Sequence, residues 1–99
     1  RADTEYFEEA VAGIVSDKGE LNALIEPLLD RGLSELDPVE LVVLQIGAWE
    51  LSRRIDVPYR VVINEGIELA RRFGATDSYK YINSVLDKLA QTQRTAERR

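Results

Sequence analysis

The residue types that bind single-stranded nucleic acid gather on one side of the last predicted helix. At about 100° per residue, the flank beside the apolar stripe of this helix carries Asp77, Tyr81, Ser84 and Lys88. The Tyr81 ring can stack on a nucleobase, a cation such as Lys88 can contact phosphates, and the Asp77 carboxylate can accept hydrogen bonds from base amino groups. The residues alone favour a simpler interpretation, in which Asp77 caps the helix, Tyr81 rims the core and Lys88 is solvated.

The composition offers little for catalysis. The 99 residues include no Cys and no His, so the sequence lacks a thiol nucleophile, a thiolate metal ligand and the commonest general base. It contains no Gly-rich phosphate loop, because Gly47, Gly66 and Gly74 each stand alone. Acidic residues are plentiful, but none has an evident nucleophile or metal-ligand partner. We therefore expect a binding protein that has no enzyme activity, no cofactor and no metal.

The overall composition is that of one globular domain. Hydrophobic residues make up 44% of the chain and charged residues 31%, an ordinary balance for a folded protein. No apolar run approaches the roughly 20 residues of a membrane span, and no signal-peptide pattern opens the chain. We expect a soluble, cytoplasmic protein without membrane contact, formed by a single domain over residues 1–99 whose polar tail, residues 91–99, is frayed.

The charge is unevenly distributed along the chain. Residues 1–50 hold twelve acidic and three basic residues, whereas residues 51–99 hold six acidic and ten basic residues. Such asymmetry indicates different partners for the two halves, although surfaces of small helical proteins also vary in charge without a function. The chain contains no Met and opens at Arg1, so we expect it to be a fragment of a longer protein.

Apolar spacing predicts five consecutive helices and no strand. Their approximate bounds are Thr4 to Asp17, Gly19 to Asp30, Asp37 to Arg53 or Arg54, Pro58 to Phe73, and Thr76 to Ala90. The third helix has the clearest start, because Asp37 can cap it, Pro38 suits its first turn and Glu40 can complete a capping box. Residues 41–51 of this helix are apolar nearly all round, so the helix is either central or lacks part of its usual cover.

Two asparagines are predicted to lie in helix interiors. Asn64 and Asn83 are surrounded by apolar residues, and Asn is a poor helix former at such positions. We favour a buried side-chain hydrogen bond between the two helices, which would fix their register, over direct ligand binding. The core face of the fourth helix is predicted to extend to Phe73.

Residues 36–40 (LDPVE) and 44–51 (LQIGAWEL) are similar to the central helix of the NusB family of bacterial transcription antitermination factors. Its most specific signature is matched by residues 56–70 (DVPYRVVINEGIELA), and the similarity continues through residues 73–88 (FGATDSYKYINSVLDK). The resemblance is strong over residues 36–90 and weak over 5–35.

The resemblance implies an all-α fold, a NusB-like helical bundle made of two small bundles packed together. It also implies that this chain, with about five helices, lacks the first two helices of the family fold, including an arginine-rich segment that contacts RNA. Loss of that cover would explain the apolar third helix. We therefore expect residues 41–51 to expose apolar surface or to bury it against a second copy in a homodimer.

The function that the resemblance implies is transcription antitermination. Family members bind the boxA RNA of ribosomal RNA leaders together with NusE, a small-subunit ribosomal protein, and join the elongating RNA polymerase. An alternative is the RNA-binding accessory domain of a ribosomal RNA cytosine methyltransferase, which shares this fold. The polar tail after Leu89 argues against the alternative, because a long catalytic domain would follow such a domain.

Specific residues of this chain match functional positions of the family. Glu40 matches a position that contacts NusE, and Asp77 and Tyr81 match positions at the boxA surface. The residues predicted to bind RNA are Asp77, Ser78, Lys80, Tyr81 and Lys88. The chain departs from the family at Tyr79, where His is common, and at Ser84, where Gly is common.

Overall fold

All regular structure in the described part of the chain, residues 4–98, is helical. The computed structural model contains six α-helices and two short 3-10 helices within this range, and no strand. The α-helices are α1 (Thr4–Ser16), α2 (Lys18–Ile25), α3 (Pro38–Arg53), α4 (Tyr59–Phe73), α5 (Ser78–Gln93) and α6 (Thr95–Arg98). The 3-10 helices, Glu26–Leu28 and Leu33–Glu35, lie in the connection from α2 to α3. The prediction of an all-α fold is confirmed.

Helix α3 is the centre of the bundle. Helices α1, α2, α4 and α5 all contact it, and its buried apolar residues are Val43, Leu44, Ala48, Trp49 and Leu51. Glycines on α3 and α4 allow α5 to approach closely. A Cβ on Gly47 would lie 2.5 Å from one methyl carbon of the buried Leu86, and a Cβ on Gly66 would lie 2.7 Å from the other. Larger side chains at these two positions would therefore push α5 out of the core.

The predicted start of α3 is confirmed at the level of hydrogen bonds. The Glu40 amide donates to Asp37 Oδ1 at 2.9 Å, and the Asp37 amide donates to Glu40 Oε1 at 3.4 Å. Pro38 occupies the first turn, where its missing N–H would have no helical partner in any case. This capping box satisfies amide groups that would otherwise be unpaired at the end of a mostly buried helix.

Two predicted helix ends differ from the structure. Helix α2 ends at Ile25 rather than Asp30, because Pro27 lacks the amide that an α-helix needs there, and the chain tightens into a 3-10 turn. Helix α5 continues to Gln93 rather than fraying beyond Ala90. Phe73, placed on the core face of α4 by its spacing, is instead 63% exposed at the end of that helix.

Arg94 fixes the segment that follows α5. Its side chain is almost completely buried and donates from Nε to the Leu51 carbonyl at 2.9 Å, and from Nη2 to the carbonyls of Glu50 at 3.1 Å and Arg54 at 2.9 Å. The last carbonyls of a helix have no partner within it, so Arg94 caps the C-terminus of α3. Its Nη1 also pairs with Glu97 Oε1 at 2.6 Å. Within the described residues, the tail that was expected to fray contains the end of α5 and the short helix α6.

Helix α1 is attached to α3 by a polar contact at the edge of the core. The Tyr6 hydroxyl donates to Glu50 Oε2 at 2.6 Å, and the Tyr6 ring meets the Trp49 ring edge-on at a centroid distance of 5.8 Å. The Arg54 guanidinium lies 4.7 Å from the Tyr6 ring centroid and donates to Glu9 at 2.9 Å. One buried carboxylate and one cation therefore hold the N-terminal half of α1 in place.

We expect Arg94→Ala to lower the free energy of unfolding by about 2–4 kcal/mol, because three buried carbonyls would lose a charged donor. Urea unfolding followed by circular dichroism measures this change. Arg72→Ala is the matched control, since Arg72 is an exposed arginine at the end of α4. Equal unfolding midpoints for the two variants would contradict the capping role of Arg94.

Glu50 makes stability depend on pH. Burial raises the pKa of its carboxyl above the usual range and the charge of Glu65 adds to the shift, while the Tyr6 hydrogen bond and the Arg54 charge oppose it. A carboxyl with a raised folded pKa stabilises the fold when protonated, so this contribution is present below the unfolded pKa and is lost as pH rises through the folded pKa. Glu50→Gln keeps an acceptor for Tyr6 and has no charge to bury.

We therefore expect the stability of Glu50→Gln relative to the natural protein to rise as pH increases from about 4, the usual pKa of a glutamate, through the raised pKa of the folded state. Urea unfolding of both proteins at several pH values across this window provides the measurement. The other carboxyls are common to both proteins and cancel in the comparison. A stability difference that stays constant across the window would show that the Glu50 carboxyl does not titrate differently on folding.

Candidate nucleic-acid interface

The start of α5 holds Asp77 in an unusual backbone conformation. Asp77 has φ 69° and ψ 0°, the left-handed region that Asp adopts more readily than most residues. Its side chain makes no capping hydrogen bond, so the prediction that Asp77 caps the helix is wrong. Instead its exposed carboxylate lies 3.7 Å from Lys80 Nζ. The carboxylate is therefore open to an outside donor.

The other predicted contact residues on α5 divide into exposed and buried ones. Lys80 and Lys88 are exposed, as is Ser84. Ser78 is buried against Gly74, and its hydroxyl has no hydrogen-bond partner among the described residues. The structure thus places Ser78 inside the turn between α4 and α5, where it supports that turn and does not face solvent.

Tyr81 is half-buried, and a second residue covers its ring. The Arg31 guanidinium carbon lies 4.3 Å from the ring centroid, and the rest of the side chain packs against the core. The hydroxyl is buried next to Asp30 without a well-formed hydrogen bond. Burial raises the pKa of the Tyr81 hydroxyl, and the nearby Asp30 carboxylate contributes. The predicted position of Tyr81 at the rim of the core is confirmed. The Arg31 cation above its ring was not predicted.

Asp30 and Arg31 extend this surface from the connection between α2 and α3. Arg31 Nε lies 2.8 Å from Asp30 Oδ1 and Nη2 lies 3.4 Å from Oδ2, so the two side chains form a forked pair. This pair lowers the pKa of Asp30 and raises that of Arg31. Sequence analysis ended the second helix at Asp30, and the spacing of Arg31 gives no signal of a contact with α5.

Glu40 lies close to the same region. Its side chain is buried in the capping box, and its charge is near enough to Arg31 to raise the pKa of that guanidinium. Glu40 and Arg31 therefore interact electrostatically. The structure brings Asp77 beside Lys80 at the start of α5, and it brings Arg31 and Asp30 to Tyr81.

The opposite flank of α5 faces α4 and carries different chemistry. The guanidinium carbon of Arg71 lies 4.3 Å from the centroid of the Tyr79 ring. Asn64 and Asn83 are both exposed, so the predicted buried hydrogen bond between them is wrong. They line an open polar groove of about 380 Å³ whose other lining residues are Tyr59, Arg60, Ile63 and Asp87.

A mainly apolar groove of about 690 Å³ lies between α1 and α3. Its most exposed side chains are Phe7 and Val15 on α1, with Val11 and Val42 also exposed. The prediction that residues 41–51 expose apolar surface holds only for Val42, since other apolar residues of that run are buried or half-buried. Three of the four exposed large apolar side chains that line this groove belong to α1, and the homodimer stays a prediction.

Two other kinds of site were sought in the part of the chain that the structure describes. Within residues 4–98, no three side chains of the metal-binding types come together as a metal site would require. None of the helices formed by these residues combines the length and the apolarity that crossing a membrane demands.

Comparison with known proteins agrees with the resemblance seen in the sequence. The sequence model of the NusB family matches residues 1–91. A protein of Marinobacter nauticus named transcription antitermination protein NusB is 54% identical over 99 residues, which is 100% of this chain and 63% of that relative. Proteins of the same name from Marinomonas sp. and Hahella chejuensis are 58% and 53% identical over 96% and 98% of the chain, and 55% and 65% of their own lengths. The chain spans less than two thirds of these relatives, and it belongs to the NusB family.

Proposed function

We propose that the protein is a transcription antitermination factor that binds boxA RNA together with NusE and joins elongating RNA polymerase in the cytoplasm. The observation that carries this proposal is the family match over residues 1–91, together with relatives that are themselves named antitermination proteins. The methyltransferase alternative has no comparable support, because these relatives are not named as enzymes.

The exposed groups on α5 suit the RNA part of this function. Lys80 and Lys88 can contact phosphates, and the exposed Asp77 carboxylate can accept hydrogen bonds from base amino groups. Ten basic residues in the second half of the chain favour an anionic partner on that side. Phosphate contacts of this kind would make RNA affinity fall with salt concentration.

The protein part of the function fits the position of Glu40. The Glu40 charge acts on the Arg31 guanidinium, which lies over the Tyr81 ring of α5, so we expect a partner bound at Glu40 to act on the RNA surface through Arg31. Contacts between the two ligands would then couple their affinities, and this coupling is reciprocal. No bond is made or broken in such a mechanism, because antitermination here consists of linked binding equilibria.

We expect the full translated product of the gene, mixed with NusE, to bind boxA RNA more tightly than a scrambled RNA of equal length. We expect Tyr81→Ala to weaken boxA binding by about 1–3 kcal/mol, because the substitution removes an aromatic ring that supports base stacking. Titrations at two salt concentrations give both the affinity and its salt dependence. Tyr79→Ala is the control, since Tyr79 lies under Arg71 on the other flank of α5.

Equal affinity for boxA and scrambled RNA would overturn the proposed function. Unchanged boxA affinity in Tyr81→Ala would leave the function standing but remove Tyr81 from the site.

We expect Glu40→Lys to weaken NusE binding through charge reversal. Glu40→Gln separates this effect from capping, because Gln can complete the capping box but carries no charge. The affinity for NusE and the helix content of each variant provide the measurements. A Glu40→Gln variant with natural affinity, beside a Glu40→Lys variant that loses both helicity and affinity, would assign Glu40 to capping alone.

A further inference from the structure

Arg31 places a flat cationic group on the outer side of the surface formed by Tyr81. Its guanidinium carbon lies 4.3 Å from the Tyr81 ring centroid, a distance typical of a cation stacked on an aromatic face. The Tyr81 side chain otherwise packs against the core, and its hydroxyl is buried. A nucleobase approaching from solvent would therefore meet Arg31 before it met the ring.

The guanidinium is held in place but keeps one side open. Its Nε and Nη2 donate to Asp30, and among residues 4–98 no hydrogen bond engages Nη1. The Arg31 side chain retains 40% of its exposure. Arginine planes stack on nucleobases as aromatic rings do, and stacking needs a fixed, exposed plane. The ion pair with Asp30 and the contact with the Tyr81 ring hold the guanidinium plane in position, and the outer face of that plane is exposed.

We propose that Arg31 is the surface on which a base of single-stranded RNA stacks, with Tyr81 and Asp30 acting as positioning residues beneath and beside it. This inference rests on the proposed RNA function and changes its assignment of the stacking group. The match to family positions alone assigns base stacking to Tyr81.

The contribution of Arg31 comes from its plane rather than from its net charge. Asp30 neutralises the guanidinium at 2.8 Å, and the Glu40 charge also acts on it. A cation compensated in this way attracts phosphates weakly, so its removal should change the salt dependence of binding very little. The stacking contribution does not depend on salt and should be lost entirely.

The experiment compares boxA RNA affinity of the full translated product, with NusE present, for four proteins: the natural one, Arg31→Ala, Arg31→Lys and Arg71→Ala. Arg71→Ala is the matched control, because Arg71 also lies 4.3 Å from a tyrosine ring of α5 but on the other flank. Arg31→Lys keeps the charge and loses the plane. Urea unfolding midpoints verify that each variant is folded.

We expect Arg31→Ala to bind boxA at least about fivefold more weakly, and Arg31→Lys to bind within about twofold of Arg31→Ala. Arg71→Ala should lose about twofold or less. A double-mutant cycle adds a second readout. The loss caused by Tyr81→Ala should disappear when Arg31 is already Ala, since Tyr81 acts through Arg31.

Other outcomes overturn the inference. Natural affinity in Arg31→Lys would show that only charge matters, and tighter binding by Arg31→Ala would show that Arg31 shields the ring from a base. Equal losses in Arg31→Ala and Arg71→Ala would show an effect common to any cation. Each of these leaves the proposed function intact, whereas a natural protein without preference for boxA over scrambled RNA overturns both.

Discussion

The need to cover helix α3 on nearly every side organises this structure. An apolar helix with a polar backbone at both ends is stable in a core only if its side chains are packed and its terminal amides and carbonyls are paired. The Asp37–Glu40 capping box satisfies the first end, and the Arg94 guanidinium satisfies the second. Because Arg94 also pairs with Glu97, the side chain that caps α3 also holds the segment that carries Glu97. The side that faces α1 is the least completely covered.

The parts of the fold that sequence analysis predicted depend on local interactions. The start of α3 follows from residues three positions apart, and the helices follow from apolar spacing within single segments. The Arg94 cap joins residues that are about forty positions apart, and no local pattern marks such a pair. The same limit explains the error for Asn64 and Asn83. Each follows a buried isoleucine, but the next residue of a helix points about 100° away from it.

The candidate site likewise contains some residues that local sequence patterns predicted and others that they could not predict. Helical phase placed Asp77, Tyr81, Ser84 and Lys88 on one flank, and all of these except the half-buried Tyr81 are exposed, because exposure follows from the position of the apolar stripe. Ser78, also predicted to contact RNA, is the first residue of α5 and is buried against Gly74. Helical phase had no means of finding Arg31, which lies in the connection after α2, fifty residues before Tyr81.

The proposed RNA surface carries cations that are largely compensated by carboxylates, and this favours selectivity over raw affinity. Arg31 is paired with Asp30, and Lys80 lies near Asp77. Attraction between free cations and phosphates is independent of base sequence, so compensated cations bind any RNA weakly. A stacked plane and an exposed carboxylate respond to bases instead, and the carboxylate repels phosphates that are poorly placed. A surface of this kind needs a second partner to reach high affinity, which fits the proposal that RNA is bound together with a protein partner.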